Sequence, residues 1–324
     1  MTAQKSPSTN NEGEERNSSS SMLSLYGELI KSRQTALLVY TTGFAYLLSA
    51  WQTGIDWPHA TVLIVSLFFA VSGSTLLNMY IDRDIDAVMV RTKNRPIPSG
   101  RIPVNNVLVH GIFLVALGIV MSWFLVSQVT GVVVFIGFAF DVVVYSVWLK
   151  RKTPVSILFG GIAGGMPALA GRTAAVAQID LIGILLALFV IAWIPLHILT
   201  LALLPDNLEG YRQARVPMWP VVRGEQETML VITCSGVISA VVILLTGIAL
   251  SLHLVALLPL LVLSVVIALR AATNLRHPAQ SRTFWIFKAA SAYMGFAFFW
   301  LFIGVVITPV LSTALPSFVQ PSGG

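Results

Sequence analysis
Nine apolar stretches follow one another along the chain, at approximately 35–55, 60–80, 104–126, 129–148, 154–173, 180–204, 228–250, 252–271 and 284–310, separated by short polar segments. A helix crossing a hydrocarbon core of about 30 Å needs roughly 20 apolar residues, so each stretch predicts one membrane-spanning helix. The expected fold is all-α, a polytopic bundle of nine transmembrane helices. The fifth stretch is the least regular, because Pro154, Pro167, Gly160, Gly161, Gly164 and Gly165 interrupt it. In water such a run reads as a loop; within a bundle it permits close packing or a kink. Residues 1–24, rich in Ser, Asn and Glu, read as a disordered cytoplasmic tail, 25–312 as one intramembrane domain and 313–324 as a short carboxyl-terminal tail. No cleavable leader is expected, since the first apolar run begins near residue 35 and is long enough to span.

Composition agrees with the pattern. Hydrophobic residues make up 56% of the chain and charged residues 10%, and mean hydropathy is +0.82, far from the balance of a soluble domain. Lys and Arg favour cytoplasmic loops. Every basic residue except Arg172 falls in the amino-terminal tail, in an even-numbered loop or at an adjoining helix end. That alternation places the amino terminus and the even-numbered loops in the cytoplasm, and the carboxyl terminus outside the cell membrane. The net charge of +6 therefore reflects orientation and an anionic substrate, with no nucleic-acid partner implied. Cys234, the sole cysteine, lies in the seventh stretch; it excludes disulfides and thiolate metal chemistry and reads as a packing residue.

The chemistry concentrates at 78–102, NMYIDRDIDAVMVRTKNRPIPSGRI, where three acids and five Lys or Arg residues follow directly on the second stretch. Asn78, Asp82 and Asp86 stand at i, i+4 and i+8, so a continuing helix stacks them on one face, while Asp84 points elsewhere. Three oxygen ligands beside Arg83, Arg91, Lys93 and Arg95 suit a Mg²⁺ that shares its coordination sphere with a phosphorylated substrate. The alternative is a salt-bridge network of Asp82 and Asp86 with Arg83 and Arg91, marginally stabilising where exposed. Topogenesis alone explains basic loops but not carboxylates at helical spacing. The fourth loop adds Lys150, Arg151 and Lys152, and the sixth adds Asp206, Glu209, Tyr211, Arg212 and Arg215. Convergence of these loops makes one polar basin, in which Mg²⁺ would act on a leaving diphosphate and Arg and Lys would clamp it.

Within the apolar stretches, His197 is a candidate for substrate contact, since intramembrane histidines tend to be functional; a packing role is its alternative. His110 reads as packing, and Asp141 is an intramembrane acid whose partner the sequence does not name. Tyr145, Trp148 and Trp193 read either as cation–π contacts or as interfacial anchors.

The spacing Asn78-x3-Asp82-x3-Asp86 after a second span, with another polar loop after a sixth, resembles the UbiA superfamily of intramembrane prenyltransferases. The longer string at 78–102, with YSVWLKRKTP at 145–154, WIPLH at 193–197, ARVPMWPVVRG at 214–224 and KAASAY at 288–293, is similar to its protohaem IX farnesyltransferase branch. The likeness runs from residue 25 to 310. It implies nine helices around a central cavity, and Mg²⁺-dependent transfer of farnesyl from farnesyl diphosphate to a vinyl group of haem B. The product is haem O, which a haem A synthase takes further for terminal oxidases; membrane lipid is the surrounding medium. Carried over by position, Asn78, Asp82 and Asp86 become catalytic metal and diphosphate ligands, Lys93, Arg95, Lys150, Lys152 and Arg33 diphosphate clamps, and His197 a substrate contact. Arg83, Tyr211 and Arg212 belong to the same substrate-binding set.

The chain departs from the family's pattern in the sixth loop. A string like EDYxxAGVPM becomes EGYRQARVPM, with Gly210 in place of Asp and Arg215 in place of Gly. Asp206 and Glu209, at i and i+3, are the candidates for a second metal site. Other prenyl acceptors, a quinone precursor or a glycerol phosphate lipid, stay open, as does a non-enzymatic haem-binding or transport protein. A transporter is expected to show repeated halves and polar breaks near the midplane, whereas here the charges gather on one side.

Overall fold
The structure is a computed structural model that describes residues 27–30 and 33–314, the side chain of Arg33 excepted. The helices are α1 (Arg33–Ala50), α2 (Trp57–Ile81), α3 (Arg83–Val88), α4 (Val104–Met121), α5 (Gln128–Phe138), α6 (Ser156–Val176), α7 (Leu181–Ala202), α8 (Pro205–Gln213), α9 (Trp219–Ala249), α10 (Leu254–Arg276) and α11 (Gln280–Ala314). Two π-helical segments, Ser122–Val126 and Ala139–Leu149, extend α4 and α5. No strand occurs among the described residues. The expected tail at 1–24 lies outside them, as does most of the one at 313–324.

All nine expected stretches are helical. Seven are long and apolar enough to cross a membrane: α2, α4 and α5 with their π segments, α7, α9, α10 and α11. The helices α1 and α6 are 18 and 21 residues long but carry more Thr, Gly and Arg, and they occupy the interior, where α1 packs on α6, α2 and α11 and α6 on α1, α5 and α7. The largest core cluster joins α7, α9, α10 and α11 around Phe189, Tyr293 and Phe298.

Lipid tails are as apolar as leucine, so helices associate here by close packing and not by escape from water. Small residues supply the closeness. An added Cβ at Gly73 of α2 would lie 2.5 Å from the Val115 nitrogen of α4, and one at Gly118 of α4 would lie 2.5 Å from the Ala70 nitrogen. In α6 the irregular glycine-rich sequence forms a continuous helix packed closely on α1, where an added Cβ at Gly171 would meet the Thr42 carbonyl and the Thr42 hydroxyl donates to the Pro167 carbonyl at 3.0 Å. The outer bundle surface carries large apolar side chains such as Phe124, Val109 and Val262, which suits a lipid-facing wall. Cys234 is on this exposed surface, correcting its expected packing role, and His110 is likewise exposed.

The two ends differ. At one end, helices start on side-chain caps: Asp56 accepts from the His59 N–H at 3.0 Å, Ser127 from Thr130 at 3.1 Å and Asp180 from Gly183 at 2.9 Å. These groups satisfy first-turn donors, and Asp180 also holds Arg172, the one basic residue outside the amino-terminal tail and the even-numbered loops, at 2.6 Å. At the other end α3 and α8 touch, bringing the second, fourth and sixth loops together. The last long loop boundary differs from expectation: α9 begins at Trp219, and Gly224, with φ of 79°, breaks it before the apolar span.

Candidate functional site
The site begins where α2 ends. Asp82 leaves helical geometry at φ −90° and ψ 7°, and α3 restarts at Arg83. The spacing of four survives this break, because the Asp82 N–H donates to the Asn78 carbonyl at 2.9 Å and the Asp86 N–H to the Asp82 carbonyl at 2.8 Å. Asp82 and Asp86 are consequently buried together, at 7% and 5% exposure, whereas Asp84 turns outward.

Each acid has a distant or loop-borne cation. Lys150 Nζ donates to Asp82 Oδ2 in a largely buried ion pair and sits 5.5 Å from the centre of the Tyr145 ring. Arg95 Nη1 donates to Asp86 Oδ2 at 2.8 Å, and Thr92 fastens the same loop by donating to the Asp86 carbonyl at 3.0 Å. Arg151 clasps Asp84 at 2.6 and 2.7 Å and reaches the Ile81 carbonyl at 3.0 Å. Its guanidinium holds the Asp84 carboxyl down at about 2. The acids therefore pair with Lys150, Arg151 and Arg95, not with Arg83 and Arg91. Arg83 turns away, donating to the Tyr80 carbonyl at 2.7 Å and lying 4.9 Å from that ring's centre.

Asn78 lies one turn deeper. Its Nδ2 donates to Asp141 Oδ2 at 2.9 Å, and its Oδ1 accepts from Ser146 at 2.8 Å, which names the partner of the intramembrane acid. The sixth-loop helix α8 places Asn207 and Gly210 inward, with an added Cβ at Gly210 coming within 3.2 Å of Met89 Cγ. Asp206, Glu209 and Arg212 are exposed; Glu209 accepts from Gln213 at 3.0 Å and faces Arg212 at 3.8 Å. Tyr211 is half-buried against the core and lies within electrostatic reach of Lys150 and Tyr145. Lys93 and Lys152 are exposed on their loops. The side chain of Arg33 lies outside the described residues.

No three His, Cys, Asp or Glu side chains among the described residues gather to hold a metal unaided. The available donors are instead two carboxylates and one amide oxygen. Asp82 Oδ1 is buried without a hydrogen-bond partner, an expensive state for a carboxylate oxygen. An all-oxygen, incomplete set of this kind fits Mg²⁺, which usually keeps several waters and binds through one or two carboxylates plus substrate phosphates.

Deeper in the bundle, His197 stacks between Trp193 and Phe287, with centroids 4.6 and 4.9 Å away, and Ser291 Oγ is 3.4 Å from its Nδ1. Trp193 is buried and donates to the Ala290 carbonyl at 2.7 Å, a packing role, whereas Trp148 is exposed in the manner of an anchor. Sequence reasoning passed over Ser146 and Asn207. The signal for Ser146 was its place five residues after an intramembrane acid, legible only once the π-helical winding is known.

A bundle of apolar helices with acids and cations gathered at one end defines a polytopic membrane protein. The chain belongs to the UbiA prenyltransferase family, whose profile matches residues 37–303. It is 38% identical over 273 residues to the protoheme IX farnesyltransferase of Korarchaeum cryptofilum, covering 83% of this chain and 90% of that one. It is 37% identical over 288 residues to the enzyme of the same name from Archaeoglobus fulgidus, covering 86% and 97%. Among solved structures the fold is similar to digeranylgeranylglyceryl phosphate synthase (TM-score 0.73, 20% identity, 88% of this chain and 98% of that one). It is also similar to a UbiA homologue from Archaeoglobus fulgidus bound to GPP and Mg²⁺ (TM-score 0.62, 14% identity, 86% and 99%).

Proposed function
We propose that the chain transfers the farnesyl group of farnesyl diphosphate to a vinyl group of haem B, giving haem O. The observation that carries this reading is Asp82 Oδ1, buried and unpartnered beside Lys150 in a chain 38% identical to a protoheme IX farnesyltransferase. Asn78, Asp82 and Asp86 would hold Mg²⁺, which when bound supplies charge neutralisation to the leaving diphosphate. Lys150 and Arg95, already at the carboxylates, take the phosphate oxygens nearest the metal ligands, and the exposed Lys93 and Lys152 close on the diphosphate from the rim. Tyr211, within electrostatic reach of Lys150, adds a polar group from α8, and Arg33, Arg83 and Arg212 are further candidates for the diphosphate. As the allylic carbon–oxygen bond breaks, its electron pair leaves with the diphosphate, and the surrounding apolar helices shield the farnesyl cation from water. The haem vinyl carbon then bonds to it, and water adds to the resulting cation with loss of a proton. His197, braced by Trp193, Phe287 and Ser291, faces the acceptor.

In this reading α1 and α6 also cross the membrane, making nine spans, with the amino terminus and the α3–α8 end in the cytoplasm. A haem A synthase takes the product onward. Asp206 and Glu209 lie on the exposed face of α8, so a second metal there requires α8 to turn towards α3. Gly210 already faces Met89, between α8 and α3.

The test is incubation of detergent-purified protein with haem B, farnesyl diphosphate and Mg²⁺, followed by mass spectrometry for haem O, with a chelated control. A product that disappears with chelation is expected. No product from folded protein, with an authentic enzyme working alongside, overturns the acceptor assignment and turns the search to quinone precursors and glycerol phosphate lipids.

A further inference from the structure
We propose that Asp141 and Ser146 are positioning residues that fix the amide of Asn78 towards the diphosphate site, and that the π-helical segment Ala139–Leu149 exists in this fold to bring the two together. The inference rests on the reading of Asn78 as a metal and diphosphate ligand. On an α-helix residues five apart point about 140° away from each other, so one neighbour could not touch both. The i→i+5 repeat of the π-helix places them on a common face, and Lys150 N–H closes that repeat on the Tyr145 carbonyl at 2.8 Å. From that face Asp141 Oδ2 accepts from Asn78 Nδ2 at 2.9 Å, and Ser146, itself 1% exposed, donates to Asn78 Oδ1 at 2.8 Å.

An asparagine amide has two orientations of nearly equal shape. A carboxylate on one side accepts only, and a hydroxyl donating from the other fills one lone pair of the oxygen. The amide is thereby locked with its NH₂ on Asp141, and the second lone pair of Oδ1 stays open for a cation or its bound water. Such outer contacts commonly change metal affinity by about 10- to 100-fold when removed. Helix packing alone would not require an acid here, since a neutral acceptor would serve without the cost of burying a charge.

The experiment is equilibrium binding of radiolabelled farnesyl diphosphate to the purified full chain, without acceptor, over a Mg²⁺ titration, with thermal unfolding measured on the same samples. Asp141→Leu and Ser146→Ala should each raise the Mg²⁺ needed for half-maximal binding by about 10- to 100-fold. Asn78→Asp should do the same, because it sets two carboxylates against each other. The double variant Asn78→Asp with Asp141→Asn exchanges donor and carboxylate and should recover binding. An unchanged Mg²⁺ requirement in Ser146→Ala and Asp141→Leu, whether or not their unfolding temperature falls, overturns the inference, as does a double variant no better than its parents. Wild-type protein that binds no farnesyl diphosphate at any Mg²⁺ concentration removes the functional reading itself; wild-type binding with indifferent variants removes only this one.

Discussion
At the scale of single residues the site is a set of exchanges between loops. Asp82 and Lys150 stand 68 positions apart and are both mostly shielded from solvent, so neither can be removed without stranding the other's charge. Asp82→Ala is expected to abolish turnover and lower stability by about 3 kcal/mol. Adding Lys150→Met should recover most of the stability and none of the activity; thermal unfolding in detergent beside a product assay separates the two effects. Arg215 is a second case. It holds φ at 54°, a left-handed conformation that costs an L-residue roughly 1–2 kcal/mol. Arg215→Gly should raise stability by up to about 1 kcal/mol, the gain reduced by glycine's greater freedom when unfolded, and a melting temperature at or below that of the parent would refute the strain. The motif residues themselves were legible in the sequence, because Asn78, Asp82 and Asp86 keep the backbone bonds of a helix through the break at Asp82. Their partners were not. Arg83 and Arg91 are nearest along the chain, but Asp82 and Asp84 pair with Lys150 and Arg151 of the fourth loop and Asp86 with Arg95 further along its own loop, since ion pairing is decided by how the loops fold and meet.

At the scale of elements, apolar length sufficed to find the helices, and glycine decided how close they lie. At Gly171 of α6 a Cβ collides with the Thr42 carbonyl of α1, while at Gly236 of α9 the nearest atoms are side-chain carbons at 3.8 and 4.0 Å. Gly171→Ala should therefore destabilise by about 1–3 kcal/mol, and Gly236→Ala should stay within about 1 kcal/mol of the parent. Equal unfolding temperatures for the two variants would contradict the packing account. The fifth stretch illustrates why such packing hides from sequence: glycine and proline signal loops in water, and only the neighbouring helices show them to be contact surface. Helical winding was equally hidden. Ala139–Leu149 looks like any other span by hydropathy, yet its π-helical turn determines which of its side chains meet α2.

At the scale of the molecule, the polar groups divide between two ends, caps at one and the paired acids and cations at the other. The proposed orientation puts the second end in the cytoplasm. In a Cys234→Ser background, a cysteine at Thr53 should react with a membrane-impermeant maleimide on intact cells, and one at Ser99 only after the membrane is opened. The opposite result would invert the topology. Both positions are exposed, so accessibility within the protein does not limit either reaction.

The linear order of residues was enough to determine what a bilayer demands of any chain: helices of spanning length, their alternation, and a run of acids and bases after the second of them. Those properties follow from local apolarity and from charge that must stay near water, and neither depends on which helix neighbours which. What only the tertiary structure decided was the assortment of partners: Lys150 on Asp82, Asp141 and Ser146 on Asn78, His197 between two rings, Gly210 against Met89. Apart from Trp193 on His197, one turn away in the same helix, these contacts join elements far apart in the chain. Backbone approach at a few glycines, one π-helical segment and the meeting of three loops at one end of the bundle set them.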